Sequence, residues 1–467
     1  MMRVVLVSTY ELGHQPLHVA SPAATLRSAG HEVRCLDLAV ERWDPQWLGW
    51  GEAVAFSVPM HTAMRLALRA AEALRSQQPE LPLCLYGLYA PVSRDLTVGR
   101  LVDSVIAGEY EPALVAWVGG LARAERSDSP GAEVVHLGRQ RFELPARELL
   151  PPLERYARLV LGDEERLVGY VEASHGCVHR CRHCPVPTVY DGRIRIVHED
   201  VLLRDVERLV EMGARHLTFG DPDFLNGVKH SLSVVRAVHE HFPELTFDCT
   251  TKIEHVLEHA AVWPELAESG CLFVVSALEC VNDAILVRLD KGHTTADASA
   301  AIALLREHGI EPRPSFMPFT PWTTPQDVVD LLDFVVEHDL IANVDPVQYM
   351  IRLLIPEGSL LLDHPGLEAH LEPYDAERLA YPWSAAVPRA DELQAQLAVI
   401  VERSVADAQP LATTFSEIRR AALAAAGLQR EDHELDPRCI EERPRLSEPW
   451  FCCAEPTENQ FAPLAGT

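Results

Sequence analysis

The sequence is short of positive charge. It has 41 Lys and Arg residues against 69 Asp and Glu residues, which gives a formal net charge of -28. A nucleic-acid backbone would be repelled by this charge, and no basic stripe offsets it. We therefore expect a small-molecule substrate and no nucleic-acid partner.

Long apolar runs and low-complexity tracts are also missing. No run approaches the roughly 20 residues that span a bilayer, and the opening "MMRVVLV" is too short to be a signal peptide. The apolar share of 48% and the charged share of 24% are typical of a globular protein. We expect a cytoplasmic protein without a membrane partner, and its 467 residues predict two or three domains.

Strand and helix patterns alternate along most of the chain and predict an α/β fold. Residues 1–145 predict a Rossmann-like domain with a parallel sheet, and the Pro- and Glu-rich residues 146–166 a linker. Residues 167–382 predict a partial or full βα barrel, with six strands in "LVGYVEAS", "HLTFG", "LTFDCTT", "LFVVSAL", "EPRPSFM" and "NVDPVQYMIRLL". Residues 383–467 predict a helical extension with a Cys-containing tail.

Three of the eleven cysteines stand close together directly after the first predicted barrel strand. Cys177, Cys181 and Cys184 have the spacing CxxxCxxC within "ASHGCVHRCRHCPVP". Three thiolates on one loop can hold three irons of a [4Fe-4S] cluster and leave the fourth iron without a protein ligand. Histidines crowd the same loop, so a structural zinc site is the alternative.

The cluster loop followed by βα units resembles the radical SAM superfamily, which cleaves S-adenosylmethionine (SAM) reductively. The resemblance implies that "HLTFGDPDF" binds the SAM amino group through Gly220, Asp221 and Asp223. A turn with a helix N-cap is the alternative there.

Two later segments resemble SAM-binding segments of the same superfamily. In "VVSALECVNDAILVRLDKGHT", Ser276 and Glu279 are candidates for the ribose or amino group. In "VQYMIRLLIPEGS", Arg352 is a candidate for the SAM carboxylate. The alternatives are an ordinary salt bridge for Glu279 and a solvated strand residue for Arg352.

The order of the domains resembles the cobalamin-binding radical SAM class. The segments "GHEVRCLDL", "LYGLYAP" and "VIAGEYEPAL" are similar to that class, but no DxHxxG segment offers a lower axial histidine. Cobalamin is therefore a candidate cofactor besides the [4Fe-4S] cluster and SAM. The alternative is a scaffold domain that binds nothing.

The tail "CCAEP" resembles that of the CUAEP/CCAEP-tail radical SAM proteins, which makes Cys452 and Cys453 candidate catalytic residues. Adjacent thiols can bind a metalloid, with Cys439 as a third ligand, or form a vicinal disulfide that carries electrons, or be inert.

The combined prediction is a radical SAM transferase that moves a 3-amino-3-carboxypropyl or methyl group onto a small acceptor. Trivalent arsenic held by the tail thiols is one candidate acceptor, and flavodoxin or ferredoxin would supply electrons. The alternative is a redox or metalloid-binding iron-sulfur protein without group transfer.

Overall fold

The structure is a computed structural model that describes residues 1–43, 49–92, 94–123, 134–429 and 443–448. The tail cysteines Cys439, Cys452 and Cys453 lie outside the described residues, so their roles stay predictions.

The secondary structure alternates as the sequence predicts. The strands are β1 (Arg3–Ser8), β2 (Glu32–Asp37), β3 (Ala53–Ser57), β4 (Leu83–Tyr86), β5 (Ser104–Gly108), β6 (Val135–His136), β7 (Arg158–Leu161), β8 (Glu164–Val171), β9 (Ser174–Gly176), β10 (Ile194–Ile196), β11 (His216–Phe219), β12 (Thr246–Thr250), β13 (Cys271–Glu279), β14 (Glu311–Phe316) and β15 (Arg445–Leu446). The α-helices are α1 (Leu17–Ser28), α2 (His61–Gln77), α3 (Arg94–Thr97), α4 (Glu111–Ala122), α5 (Val186–Tyr190), α6 (Glu199–Glu211), α7 (Val228–His241), α8 (Ile253–Glu258), α9 (Trp263–Glu268), α10 (Asp283–Leu289), α11 (Thr295–Glu307), α12 (Pro325–Glu337), α13 (Pro388–Ala406) and α14 (Leu411–Ala426).

The N-terminal sheet is parallel and has the order β2-β1-β3-β4-β5-β6. Its strands are apolar on both sides because helices cover both faces. Helices α1 and α4 pack on one face through residues such as Val19 and Leu114. Helix α2 packs on the other face through Met64 and Leu74. This arrangement confirms the predicted Rossmann-like domain.

The second sheet has the order β14-β13-β12-β11-β8-β7-β15, and its parallel strands β8 and β11 to β14 form a partial barrel. Five of the predicted barrel strands are confirmed. The sixth is wrong, because residues 346–350 form a 3-10 helix that starts at Pro346, a residue without a backbone donor for a ladder. Arg352 belongs to no strand, and its backbone forms an isolated β-bridge with Phe319.

Residues 443–448 connect the two edges of the partial barrel. Strand β15 pairs antiparallel with β7. On the other side, Arg443 lies 3.3 Å from Glu311, and Arg313 donates to the backbone oxygen of Pro444 at 3.2 Å. The segment therefore covers the edge of β7, which would otherwise present unpaired backbone groups, and contacts β14 through the side chains of Glu311 and Arg313.

The predicted helical extension is present as α13 and α14, whose apolar residues join the barrel core. No helix within the described ranges is long and apolar enough to cross a membrane.

A buried ion pair joins the predicted linker to the barrel. Arg147 is 1% exposed and donates to both carboxylate oxygens of Asp205, at 3.0 and 2.7 Å. It also donates to the backbone oxygen of Tyr170 at 2.6 Å. Two buried charges offset each other only while both partners are present.

We predict that Arg147→Met destabilises the protein by about 3–5 kcal/mol, because Asp205 is left buried and unpaired. Chemical denaturation of the full chain measures this loss. The double variant R147M/D205L should recover most of it, since no charge then stays buried. The control is Arg27→Met, which breaks an exposed pair with Glu148 and should cost less than about 1 kcal/mol. Equal losses in the single and double variants would contradict the prediction.

Candidate active site

The three cysteines lie on the loop between β9 and α5 and line one cavity of about 340 Å³. Gly176 begins the loop with a φ of +77°, and a side chain there would lie 2.3 Å from the backbone oxygen of Arg193. Asn226 then fixes the loop, accepting from the Val178 backbone N–H at 3.2 Å and donating to the Gly176 oxygen at 3.4 Å. The sulfur atoms are therefore held on a fixed backbone at the cavity wall.

The chemistry of this ligand set fits an iron-sulfur cluster. Burial raises the pKa of Cys177 to about 12, and it also raises the pKa of Cys181 although Lys291 and Lys252 oppose it. Buried thiols of this kind become thiolates when a metal centre supplies positive charge.

A single zinc ion fits these cysteines less well. Sulfur ligands of one zinc ion lie about 4 Å apart, as Zn–S bonds of about 2.3 Å require. In the described part of the chain, the groups compact enough for one metal ion are His179 with Asp223 and His255, and His255 with Glu258 and His259. Neither group contains a cysteine, and the loop histidines bind other partners.

The segment after β11 places its three predicted residues at the cavity, in different roles. A side chain at Gly220 would lie 2.0 Å from the Tyr170 hydroxyl, so glycine is required. Asp221 accepts from the Ser174 hydroxyl at 2.6 Å and the Ala173 N–H at 2.9 Å. Burial raises the pKa of Asp221 to about 7, and its contacts indicate a structural role under the cluster loop.

Asp223 and Lys252 place opposite charges at the same part of the cavity. One oxygen of Asp223 caps Leu225, and the other lies 2.9 Å from Nδ1 of His255 and 3.4 Å from the backbone nitrogen of Lys252. Nζ of Lys252 lies 2.8 Å from Oε2 of Glu254 and 3.2 Å from Nδ1 of His179. The pair suits an amino acid, with the ammonium at Asp223 and the carboxylate at Lys252. Sequence reasoning missed Lys252, although its place directly after β12 was a signal.

Glu279 connects the end of β13 to the cluster loop. Its Oε1 lies 2.9 Å from Nζ of Lys291 and 3.0 Å from Nε2 of His183, the residue before Cys184. Burial would raise the pKa of Glu279, but Lys291 and His183 outweigh it and hold the pKa well below its usual range. The carboxylate lines the cavity as a charged group.

Two predicted SAM residues do not line the cavity. Ser276 is 3% exposed and donates to the backbone oxygen of Thr251 at 2.6 Å. Arg352 donates to Asp391 and to the backbone oxygen of Trp383, both at 2.8 Å, and stacks on the Trp383 ring.

The carboxyl ends of the Rossmann strands form the opposite wall of the same cavity. Met60, Gly87, Leu88 and Gly108 line it at the ends of β3, β4 and β5. Such a crevice at the carboxyl edge of a parallel sheet is where these folds bind ligands.

A chain of buried carboxylates and imidazoles joins the two walls. His175 lies 3.1 Å from Glu109 of the N-terminal domain and 3.2 Å from Glu172 of the barrel. Glu172 lies 3.3 Å from His18, whose other nitrogen lies 2.8 Å from the Tyr110 hydroxyl. Burial lowers the pKa of His175, but Glu109 and Glu172 outweigh it and raise it to about 10. The histidine is therefore a buried cation between two carboxylates.

The comparisons assign a family to the barrel. Residues 171–335 match the model of the Radical SAM superfamily, so this part of the chain is a radical SAM domain, the class that uses a [4Fe-4S] cluster and SAM. The chain is 24% identical to the hopanoid C-3 methylase of Methylococcus capsulatus over 318 residues. This alignment covers 63% of this chain and 59% of that protein. It is 24% identical over 376 residues to the anaerobic magnesium-protoporphyrin IX monomethyl ester cyclase of a Synechocystis strain, covering 73% and 70%.

Solved structures share the two-domain fold. The cobalamin-dependent SAM radical enzyme OxsB with aqua-cobalamin bound has a TM-score of 0.68 at 14% identity, covering 87% of this chain and 67% of that chain. The radical SAM methyltransferase TsrM from Kitasatospora setae has a TM-score of 0.59 at 18% identity, covering 73% and 72%. At these identities the likeness shows the fold. The chain spans less than two thirds of the hopanoid methylase, so its activity is a matter for proposal.

The buried carboxyl group of Glu11 makes the stability of the folded protein depend on pH. It is 7% exposed, and its described hydrogen-bond partner is the Ser57 hydroxyl at 3.3 Å. Burial raises its pKa from 4.5 to about 7, although His18 opposes the rise. The folded state therefore holds this proton more tightly than the unfolded state does.

We predict that Glu11→Gln stabilises the protein at pH 8.5 and changes little at pH 4.5. The contribution of Glu11 is favourable below about pH 4.5 and is lost as the pH rises through about 7. Thermal unfolding midpoints between pH 4.5 and 8.5 measure the difference. The exposed Glu32→Gln is the control and should show no such trend. A constant difference between Glu11→Gln and the parent across this range would count against the buried, protonated carboxyl.

Proposed function

We propose that this protein is a radical SAM methyltransferase that transfers a methyl group to a small acceptor. One observation carries the proposal: the cluster loop and the carboxyl edge of the Rossmann sheet bound the same cavity. The named relatives include hopanoid methylases, and the structural neighbours include a radical SAM methyltransferase. Their names support methyl transfer as the reaction.

The residues of the site have three roles: binding the cluster, binding SAM and positioning the cluster loop. Cys177, Cys181 and Cys184 hold the cluster. Asp223 and Lys252 bind the ammonium and carboxylate of SAM, and Glu279 with its partners keeps the cluster loop in register. When bound, the cluster and SAM supply reductive cleavage, and cobalamin supplies a methyl carrier.

Cobalamin fits the wall formed by the Rossmann strand ends. Met60 and Leu88 present apolar side chains there, which would hold a corrin ring by packing. The glycines Gly87 and Gly108 have φ values of +117° and +77° and keep the strand ends clear of side chains. Solved neighbours of the same fold bind cobalamin, which supports this assignment.

The finer sequence predictions are weaker than methyl transfer. Transfer of a 3-amino-3-carboxypropyl group and trivalent arsenic as acceptor find no support among the named relatives. One observation keeps a role for the tail open: Glu448, four residues before Cys452 in the sequence, lines the cavity. A redox or metalloid-binding protein without group transfer is therefore the second candidate.

The first test measures the products of SAM cleavage. With reductant, SAM and hydroxocobalamin, the reconstituted protein is expected to form 5'-deoxyadenosine by reductive cleavage of SAM, and S-adenosylhomocysteine when the reduced cobalamin takes the methyl group of SAM. Cys181→Ala should abolish 5'-deoxyadenosine and lower the iron content, because one cluster ligand is lost. Cys280→Ala is the control, since Cys280 is buried but does not line the cavity. Methylthioadenosine as product would instead favour aminocarboxypropyl transfer, and no product with an intact cluster would favour the binding protein.

The second test measures SAM binding. Lys252→Met should weaken SAM by about tenfold or more in equilibrium dialysis, because a charge-assisted hydrogen bond is lost. The iron content should stay unchanged, since Lys252 is not a cluster ligand. Arg180→Met, an exposed change in the cluster loop, is the control. Unchanged SAM affinity in Lys252→Met would refute the assigned role.

A further inference from the structure

The cavity extends below the proposed SAM site into a part that no cofactor role uses. Thr218 and Asp248 stand two residues before Gly220 and Thr250 on neighbouring strands, and all four line the cavity. At about 3.3 Å per residue, this places them about 7 Å nearer the bottom of the barrel. We call this part the lower chamber and define it by Asp248, Phe273, Arg313, Ser315, His14 and Glu448.

Asp248 has one oxygen bound and one open. Its Oδ2 accepts from Nε2 of His216 at 2.9 Å and from the Thr218 hydroxyl at 2.7 Å. The other oxygen, Oδ1, has no hydrogen-bond partner among the described residues. Because Asp248 is 1% exposed and lines the cavity, this oxygen is available only to a group inside the chamber.

Two further polar side chains are buried at the chamber without hydrogen-bond partners in the described ranges. Ser315 is 8% exposed and His14 is 7% exposed, and both line the cavity. His14 stacks on the Tyr170 ring with centroids 4.7 Å apart. Leaving a buried polar group unpaired costs about 1–3 kcal/mol, so a purely apolar occupant would be disfavoured.

The charge of the chamber is negative. Arg313 already donates to Asp345 and to the Pro444 backbone oxygen, both at 3.2 Å. Asp248 is bound by a hydroxyl and an imidazole, and Glu448 accepts from the Tyr10 hydroxyl at 2.9 Å. No lysine or arginine in the described ranges forms an ion pair with either carboxylate. Arg313 is shared between Asp345 and Asp248, so the carboxylates of Asp248, Asp345 and Glu448 outnumber the one arginine that faces an incoming cation.

We propose that the lower chamber binds the acceptor, and that the acceptor is a small molecule with a protonated amine. This inference rests on the proposed function. The ammonium group donates to Oδ1 of Asp248, and Glu448 adds negative potential. Phe273 and Val275 offer an apolar surface to the rest of the molecule. Ser315 and His14 accept or donate to its polar substituents.

The experiment compares two probes of equal size and different charge, phenethylamine and 2-phenylethanol. Calorimetric titration uses the full-length, cluster-reconstituted protein without SAM. Phenethylamine is expected to bind at least about tenfold more tightly, because it makes a charge-assisted hydrogen bond. Asp248→Asn should remove this preference and leave the alcohol unaffected. Glu448→Gln should weaken only the amine, and the exposed Glu164→Gln is the control.

Each outcome decides the proposal. Equal binding of the two probes, or an unchanged preference in Asp248→Asn, would overturn it. If Asp248→Asn fails to fold, Glu448→Gln decides by the same comparison. SAM cleavage is measured on the parent protein as well. If the parent protein cleaves SAM but shows no preference for the amine, only the chamber is refuted; if it prefers the amine but does not cleave SAM, only the proposed function is refuted.

Discussion

The chain of carboxylates and imidazoles around His175 is the interaction on which the rest of the site depends. It starts at Glu109 in the N-terminal domain, passes through His175 beside the first cluster cysteine and Glu172 in the barrel, and ends at His18. Burying these charges is costly, and the alternation of sign is what offsets the cost. Although burial raises the pKa of Glu172, His18 and His175 outweigh it and lower it to about 2. Each member is therefore needed by its neighbours, which fixes the cluster loop against the Rossmann sheet.

This fixed relation explains why both domains line a single cavity. Both sheets direct the carboxyl ends of their parallel strands toward the same space, where glycines and loop residues leave room. The Arg147–Asp205 pair joins the linker to the barrel, and Arg147 also donates to the Tyr170 oxygen of β8. With both contacts in place, the three-cysteine loop, the Rossmann strand ends and the lower chamber are walls of one space. Reactants held in such a space meet in fixed orientation, which is the main contribution that a protein scaffold makes to cofactor chemistry.

Local patterns predicted most of the fold and only part of the site. The Rossmann strands, five barrel strands and the cluster loop follow from apolar alternation and cysteine spacing, which are properties of short segments. The prediction for Ser276 overlooked strand alternation, which turns Phe273 and Val275 toward the cavity and Ser276 away from it. Glu279 continues the alternation of Val275 and Ala277 and lines the cavity, with a φ of +63° at the register irregularity after Ala277. The contacts of Asp248 come from His216 and Thr218 of β11, so no local pattern contains them.

The two-residue strand β15 shows why a short segment can matter more than its pattern suggests. It is too short to show a periodicity. It nevertheless pairs with β7, while Arg443 contacts Glu311 of β14 and Glu448 lines the cavity. Without this segment, Arg313 would lose the Pro444 oxygen and keep Asp345 as its partner. The segment thus leaves Arg313 fully occupied and adds a carboxylate. The negative charge of the lower chamber therefore comes partly from the barrel strands and partly from a remote segment of the chain, so the proposed acceptor site and the contacts between the barrel edges share residues 443–448.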